Sequence, residues 1–118
     1  MTVTKFQDLP LADRDREWDA DAAEKRVREW AGGPGPTYRQ AFVWYDADNA
    51  DELGAYKLPI ADVVDGELEA VPRAVFAAAA VVEGARGGVK VPEEDVGPIK
   101  RHLATYYAKI GETPPWEH

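Results

Sequence analysis

The sequence predicts an α+β domain, a small three-stranded antiparallel sheet packed against a central apolar helix and two further helices. Three observations carry this expectation. At 118 residues and 13.0 kDa the chain has the length of one core. Its middle, residues 40–71, holds aromatic and β-branched runs separated by a polar loop and an Asp-Gly pair. Helical periodicity flanks that middle on both sides, and the order helix, strands, helices suits helices laid on an antiparallel sheet.

Residues 1–16 lack clean periodicity and contain Pro10, so they are expected as an extended N-terminal arm whose Val3, Phe6, Leu9 and Leu11 dock on the domain. The domain itself is expected over 17–111. Asp21 and Glu24 have capping-box spacing, and Ala23, Val27, Trp30 and Ala31 recur on one face of a short amphipathic helix. The run from Gly32 to Pro36 ends it. Gln40–Tyr45 reads as a strand, and Asp46–Gly54 as a polar loop. Tyr56–Val64 reads as a second strand in which Pro59 makes an edge, a bulge or two short pieces. Asp65-Gly66 is a two-residue hairpin turn leading into a third strand, Glu67–Val71.

Pro72 suits the first turn of a helix, where its missing amide proton is not needed. Arg73–Val82 is apolar nearly all round and is expected as the buried centre, with Phe76 and Trp30 in the core. Gly84, Gly87 and Gly88 terminate that helix. Val91–Val96 reads as a turn or short helical piece. Pro98 opens the last helix, on which Ile99, Leu103, Tyr106 and Ile110 form an apolar stripe closed by Gly111. Residues 112–118 are expected as an extended tail.

Composition excludes more than it assigns. Cysteine is absent, which removes disulfides, thiolate metal sites and cysteine nucleophiles; serine is absent too, which removes serine-nucleophile hydrolysis. The longest apolar run, Ala74–Val82, is far shorter than the about 20 residues that cross a bilayer, so no membrane partner is expected. No basic leader opens the chain, and a cytoplasmic or virion setting is expected. The net charge of −8 is uneven: −2 over residues 1–32, −6 over 33–71 and 0 over 72–118. A pI near 4.7 argues against the clustered basic face that phosphate backbones require. A solvated acidic surface explains the balance, and a basic partner or an acidic decoy of a nucleic-acid-binding protein is the alternative.

No motif completes a catalytic or metal set, and neither cofactor nor metal is expected. Asp46–Asp51 begins like a calcium loop, but Ala50, Asp51 and Lys57 stand where that template needs an oxygen ligand, a glycine and a glutamate. Gly84–Lys90 superficially matches a phosphate loop, yet it follows a helix and has Val91 where a hydroxyl belongs. His102 has no second internal histidine beside which to bind zinc, and a partly covered structural role beside Tyr106 fits it better. Glu67 and Glu69 share a strand face and repel, while Asp62 and Asp65 flank a hairpin that desolvates neither. The aromatics are the remaining signal. Four tryptophans either anchor an interface or fill a small core and clamp its ends, and for Trp44, Tyr45 and Trp116 both uses stay open. Trp44, Tyr45, Tyr56 and Trp116 are the candidate partner-binding residues.

The runs Ala55-Tyr56-Lys57-Leu58-Pro59-Ile60-Ala61-Asp62-Val63-Val64-Asp65-Gly66 and Ala70-Val71-Pro72-Arg73-Ala74-Val75-Phe76-Ala77-Ala78-Ala79 carry a resemblance. So do Gly84-Ala85-Arg86-Gly87-Gly88, Tyr106-Tyr107-Ala108-Lys109 and Pro114-Pro115-Trp116. From about Trp18 to Trp116 the chain resembles a domain of tailed bacteriophages and prophages associated with genes or fusions near the HK97-type prohead protease. That resemblance implies a non-enzymatic protein-interaction module in head assembly or structure, with phage capsid, portal or protease proteins as partners. It carries over no catalytic residue, and the absent serine excludes the protease itself. Self-association is compatible with a small domain rich in aromatics. The alternative is a nucleic-acid-associated module using Arg73, Arg86, Lys90, Lys100 and Arg101, although Glu93, Glu94 and Asp95 offset that charge.

Overall fold

The computed structural model describes residues 1–84 and 91–117. Its elements are β1 (Thr2–Val3), α1 (Ala20–Ala31), α2 (Pro36–Arg39), β2 (Phe42–Tyr45), β3 (Tyr56–Pro59), β4 (Ala61–Val64), β5 (Glu67–Ala70), α3 (Pro72–Val82) and α4 (Glu93–Ile110). The fold is α+β, with antiparallel strands covered by helices. None of the described helices is long and apolar enough to cross a membrane.

The strands are grouped differently from the single sheet expected. β1, β2 and β3 form one antiparallel sheet in that order, and β4 pairs with β5 in a second. The change occurs at Leu58-Pro59-Ile60. Pro59 has no amide with which to prolong a ladder, and Leu58 sits at φ +58°, a left-handed conformation that costs a branched residue about 1–2 kcal/mol. Of the three outcomes open for Pro59, two short pieces is the one the chain adopts. Ile60 then bridges the sheets, its amide donating to Ala41 O and its carbonyl accepting from Val71 N, both at 2.8 Å. The third strand of the first sheet comes from the arm, where Thr2 and Val3 pair with Tyr45 and Trp44. Two residues are too short to show a period.

The Asp65-Gly66 turn forms as its chemistry predicts. Both residues have positive φ, +51° and +81°, the pattern of a two-residue hairpin turn whose twist matches its strands. The indole of Trp30 closes over this turn, Nε1 donating to Gly66 O at 3.2 Å. Trp30 is 39% exposed, so it is a surface clamp and not a core residue.

The helix caps differ from the expected ones by small shifts. Asp19, not Asp21, caps α1, its Oδ1 accepting from the Ala22 amide at 3.2 Å. α4 begins at Glu93, five residues before Pro98, so that the proline lies in its second turn. Glu93, Glu94 and Asp95 occupy the first turn, where the helix dipole favours negative charge. The expected stripe of α4 does face inward: Ile99, Leu103 and Tyr106 are fully buried and Ile110 packs at the margin.

α1 packs on β4, α3 on α4, and α4 on β1 and β2. The core runs through Val27, Phe42, Val43, Ile60, Val75, Ile99, Leu103 and Tyr106. α3 is central on one face only. Val75, Ala78 and Ala79 are buried, but Phe76 is half-buried against Tyr107, with ring centroids 5.3 Å apart, and Ala77 and Ala80 are exposed. Gly84 at φ +91° follows the helix, and Ala85–Lys90, the rest of the glycine-rich turn, lie outside the described residues.

The arm is part of the structure. Thr4 N donates to Val43 O and Ala12 N to Ala70 O, each at 2.8 Å. The hydroxyl of Tyr106 donates to Gln7 O, and Lys109 Nζ reaches both Asp8 Oδ1 and Leu9 O at 2.6 Å. At the other end the tail folds back and does not extend: Pro115–Glu117 is a short 3-10 turn and Pro114 is buried.

Candidate functional site

The four aromatic candidates separate by burial. Trp44 and Tyr56 are 2% and 3% exposed, so they present no surface to a partner. Trp44 Nε1 donates to Asp95 Oδ2 at 3.1 Å, tying β2 to the start of α4. Tyr56 lies in a ring cluster with Tyr38 and Phe42 at 5.1 and 5.6 Å, and its hydroxyl donates to Ala50 O at 2.5 Å. Strand alternation could not sort these residues, because Phe42, Val43 and Trp44 are buried in succession on both faces of β2. Trp116 is half-buried, edge-on to Tyr107 at 6.0 Å and beneath Lys100 Nζ at 5.3 Å, where it clamps the tail.

Tyr45 is half-buried and helps to form a cleft. Its ring stacks parallel on Tyr56 at 5.7 Å, and the Arg39 guanidinium lies 4.2 Å from its centroid. Thr4, Lys5 and Gln7 of the arm, Pro36 and Arg39 of α2, Gln40 and Tyr45 line a cavity of about 250 Å³. The charged residues of this lining, Lys5 and Arg39, are both cationic and pair with no carboxylate among the described residues.

A second cleft is apolar. Trp18, Ala20, Leu58, Pro59, Ala77, Ala78 and Val81 enclose about 200 Å³ against the outer face of α3. The strained Leu58, 4% exposed and part of the core, lines it beside Pro59. Sequence reading missed this surface because it placed the whole of α3 inside.

The titratable groups that invited chemical readings are held by structural bonds. His102 is 7% exposed; its Nδ1 lies 3.0 Å from Thr4 O, and Phe6 meets its ring edge-on at 5.4 Å. Burial holds its pKa below the ordinary 6.5, against the opposing effect of the Thr4 bond. Contrary to the expectation that the hairpin leaves it solvated, Asp62 is 1% exposed, because α1 and the arm cover it and two arginines grip it. Arg26 binds it as a fork at 2.9 and 2.7 Å, Arg16 Nη2 adds a bond at 3.1 Å and the Val63 amide one at 2.7 Å. Burial pushes the Asp62 carboxyl up, but these hydrogen bonds prevail and keep it below 3.8.

The acidic loop is likewise self-satisfied. The Asp46 carboxylate accepts from the Asp48 amide at 3.1 Å and Asn49 Nδ2 at 2.7 Å, closing a turn on itself. Among the described residues no three His, Asp or Glu side chains converge as a metal site. No protein-family model matches the chain, and no curated protein or solved structure shows significant similarity to it.

Proposed function

We propose that this chain is a non-enzymatic protein-interaction module of phage or prophage head assembly, and that it engages its partner through the outer face of α3. The observation that carries this reading is the apolar cleft on that face. α3 has a single charged residue, Arg73, in its eleven positions. Its exposed Ala77 and Ala80 adjoin the half-buried Phe76, Val81 and Val82. A lone exposed alanine needs no explanation, whereas a contiguous apolar cleft beside Trp18, Leu58 and Val81 suits an inserted side chain. The occupant is an apolar side chain of a capsid, portal or protease protein. The resemblance of residues 55–66 and 70–79 supplies that setting, in the cytoplasm during assembly or in the virion. The structural use of His102 and Asp62 supports a binding role over a catalytic one.

The test is co-purification of the tagged chain with capsid, portal and protease proteins encoded beside its gene, at low and high salt. Apolar docking predicts retention at high salt, and loss on Ala77→Glu, an exposed helical site where glutamate leaves the fold intact. Retention by the variant, or release of the partner by salt alone, overturns the assignment of this face. Dimerisation of the isolated chain that Ala77→Glu abolishes would make the occupant a second copy.

A further inference from the structure

We infer that the cleft between the arm and α2 is a receptor for a single carboxylate of a partner peptide. This site shares no residue with the apolar cleft and stands without it. Thr4 is 7% exposed and its main chain is pinned on both sides, its amide donating to Val43 O and its carbonyl accepting from His102. Its Oγ1 has no hydrogen-bond partner among the described residues, and the same holds for Arg39 Nε. Both atoms are buried, and both belong to residues lining one cavity with Lys5. Buried donors left unpaired are costly, and in native proteins they tend to have a reason.

An anion supplies the missing acceptors. The guanidinium of Arg39, centred 4.2 Å from the Tyr45 ring centroid, matches a carboxylate, with the Thr4 hydroxyl as a further donor and Lys5 as the rim charge. Phosphate fits less well. Phosphate sites draw on rows of backbone amides, and here the amides of Thr4, Arg39 and Gln40 are committed to Val43 O, Gly35 O and Thr37 O. A chain of net charge −8 also repels polyanions. A cavity of about 250 Å³ admits one side chain or chain end, whether the carboxylate comes from Asp or Glu or from a C-terminus.

Titration of the full chain, followed by backbone NMR shifts at constant ionic strength, tests this. The probes are N-acetylglutamate α-amide for a side-chain carboxylate, N-acetylalanine for a terminal one, and inorganic phosphate. Saturable shifts at Thr4, Arg39 and Tyr45 are expected with at least one carboxylate probe, and the tighter of the two identifies the source. Arg39→Gln should weaken that binding about tenfold, the scale of one charge-assisted bond. Thr4→Val should weaken it severalfold while leaving the melting temperature unchanged or raised, because valine removes an unpaired hydroxyl at equal shape. A merely structural threonine would not separate the two readouts. Tighter binding of phosphate than of either carboxylate, non-saturating shifts, or unchanged affinity in both variants would overturn the proposal.

Discussion

Replacing Asp62 by asparagine probes the joint that holds the arm, α1 and β4 together. The carboxylate accepts four hydrogen bonds, three from Arg16 and Arg26 and one from the Val63 amide. Asparagine retains one oxygen for Val63 N and Arg26 Nε, but turns an NH₂ toward the other two guanidinium donors. Two charge-assisted bonds are lost, worth about 1.5–3 kcal/mol each in net terms. The Arg16 and Arg26 side chains are 31% and 48% exposed, so water recovers part of that loss. The expected destabilisation is about 2–4 kcal/mol. At about 4 °C per kcal/mol for a domain of this size, the melting temperature falls by about 8–16 °C. Circular dichroism melts at pH 7 measure it, with urea unfolding at constant m-value as a check. The pH dependence gives a second reading. The folded carboxyl titrates below its ordinary 3.8, so its contribution is complete above the unfolded pKa of about 3.9 and is lost as pH falls through the folded value. The gap between wild type and Asp62→Asn should therefore close below about pH 4. A shift under about 3 °C at pH 7 would reduce the joint to an ordinary surface ion pair.

Three further perturbations test the architecture. Burial lowers the pKa of folded His102, so the unfolded chain binds more protons below its pKa near 6.5; stability should fall as pH drops from about 6.5 toward the lower folded value, and His102→Gln should flatten that slope in melts between pH 7.5 and 5. Gly66→Val forces a branched residue to φ +81°, where nothing within 4 Å crowds the new Cβ; the cost is backbone strain of about 1–2 kcal/mol, and an unchanged melting temperature would contradict the turn. Phe76→Ala should cost about 2–3 kcal/mol, at or below the low end of the about 3–5 kcal/mol of a fully buried phenylalanine, because the residue is partly exposed; urea midpoints compared with Ile99→Ala, fully buried, rank the two positions.

What was legible in the sequence was local. Asp65-Gly66 encodes its turn in two residues, Pro72 fits the first turn of α3, and the spacing of Ile99, Leu103 and Tyr106 sets the inward face of α4. What escaped was long-range. Thr2 and Val3 become a strand only because Trp44 and Tyr45 offer them an edge, and nothing at those positions signals it. Trp44 and Tyr56 carried the interface signal by residue type, yet cross-sheet packing puts both inside. α3 reads as apolar all round, and composition alone cannot say which of its faces the chain covers. In the cationic cleft Thr4 and Arg39 are 35 positions apart in the chain, so only Tyr45 could be singled out beforehand.

The proposed docking of a head-assembly partner on the outer face of α3 would shield that helix from solvent. Hydrogen–deuterium exchange of the chain, alone and in complex with the partner that co-purifies with it, tests this most directly. Added protection is expected over residues 76–82 and around Trp18 and Leu58, lost when Ala77→Glu is mixed with the same partner. Protection confined to the acidic 46–54 loop or the β4–β5 hairpin, with α3 unchanged, would contradict it.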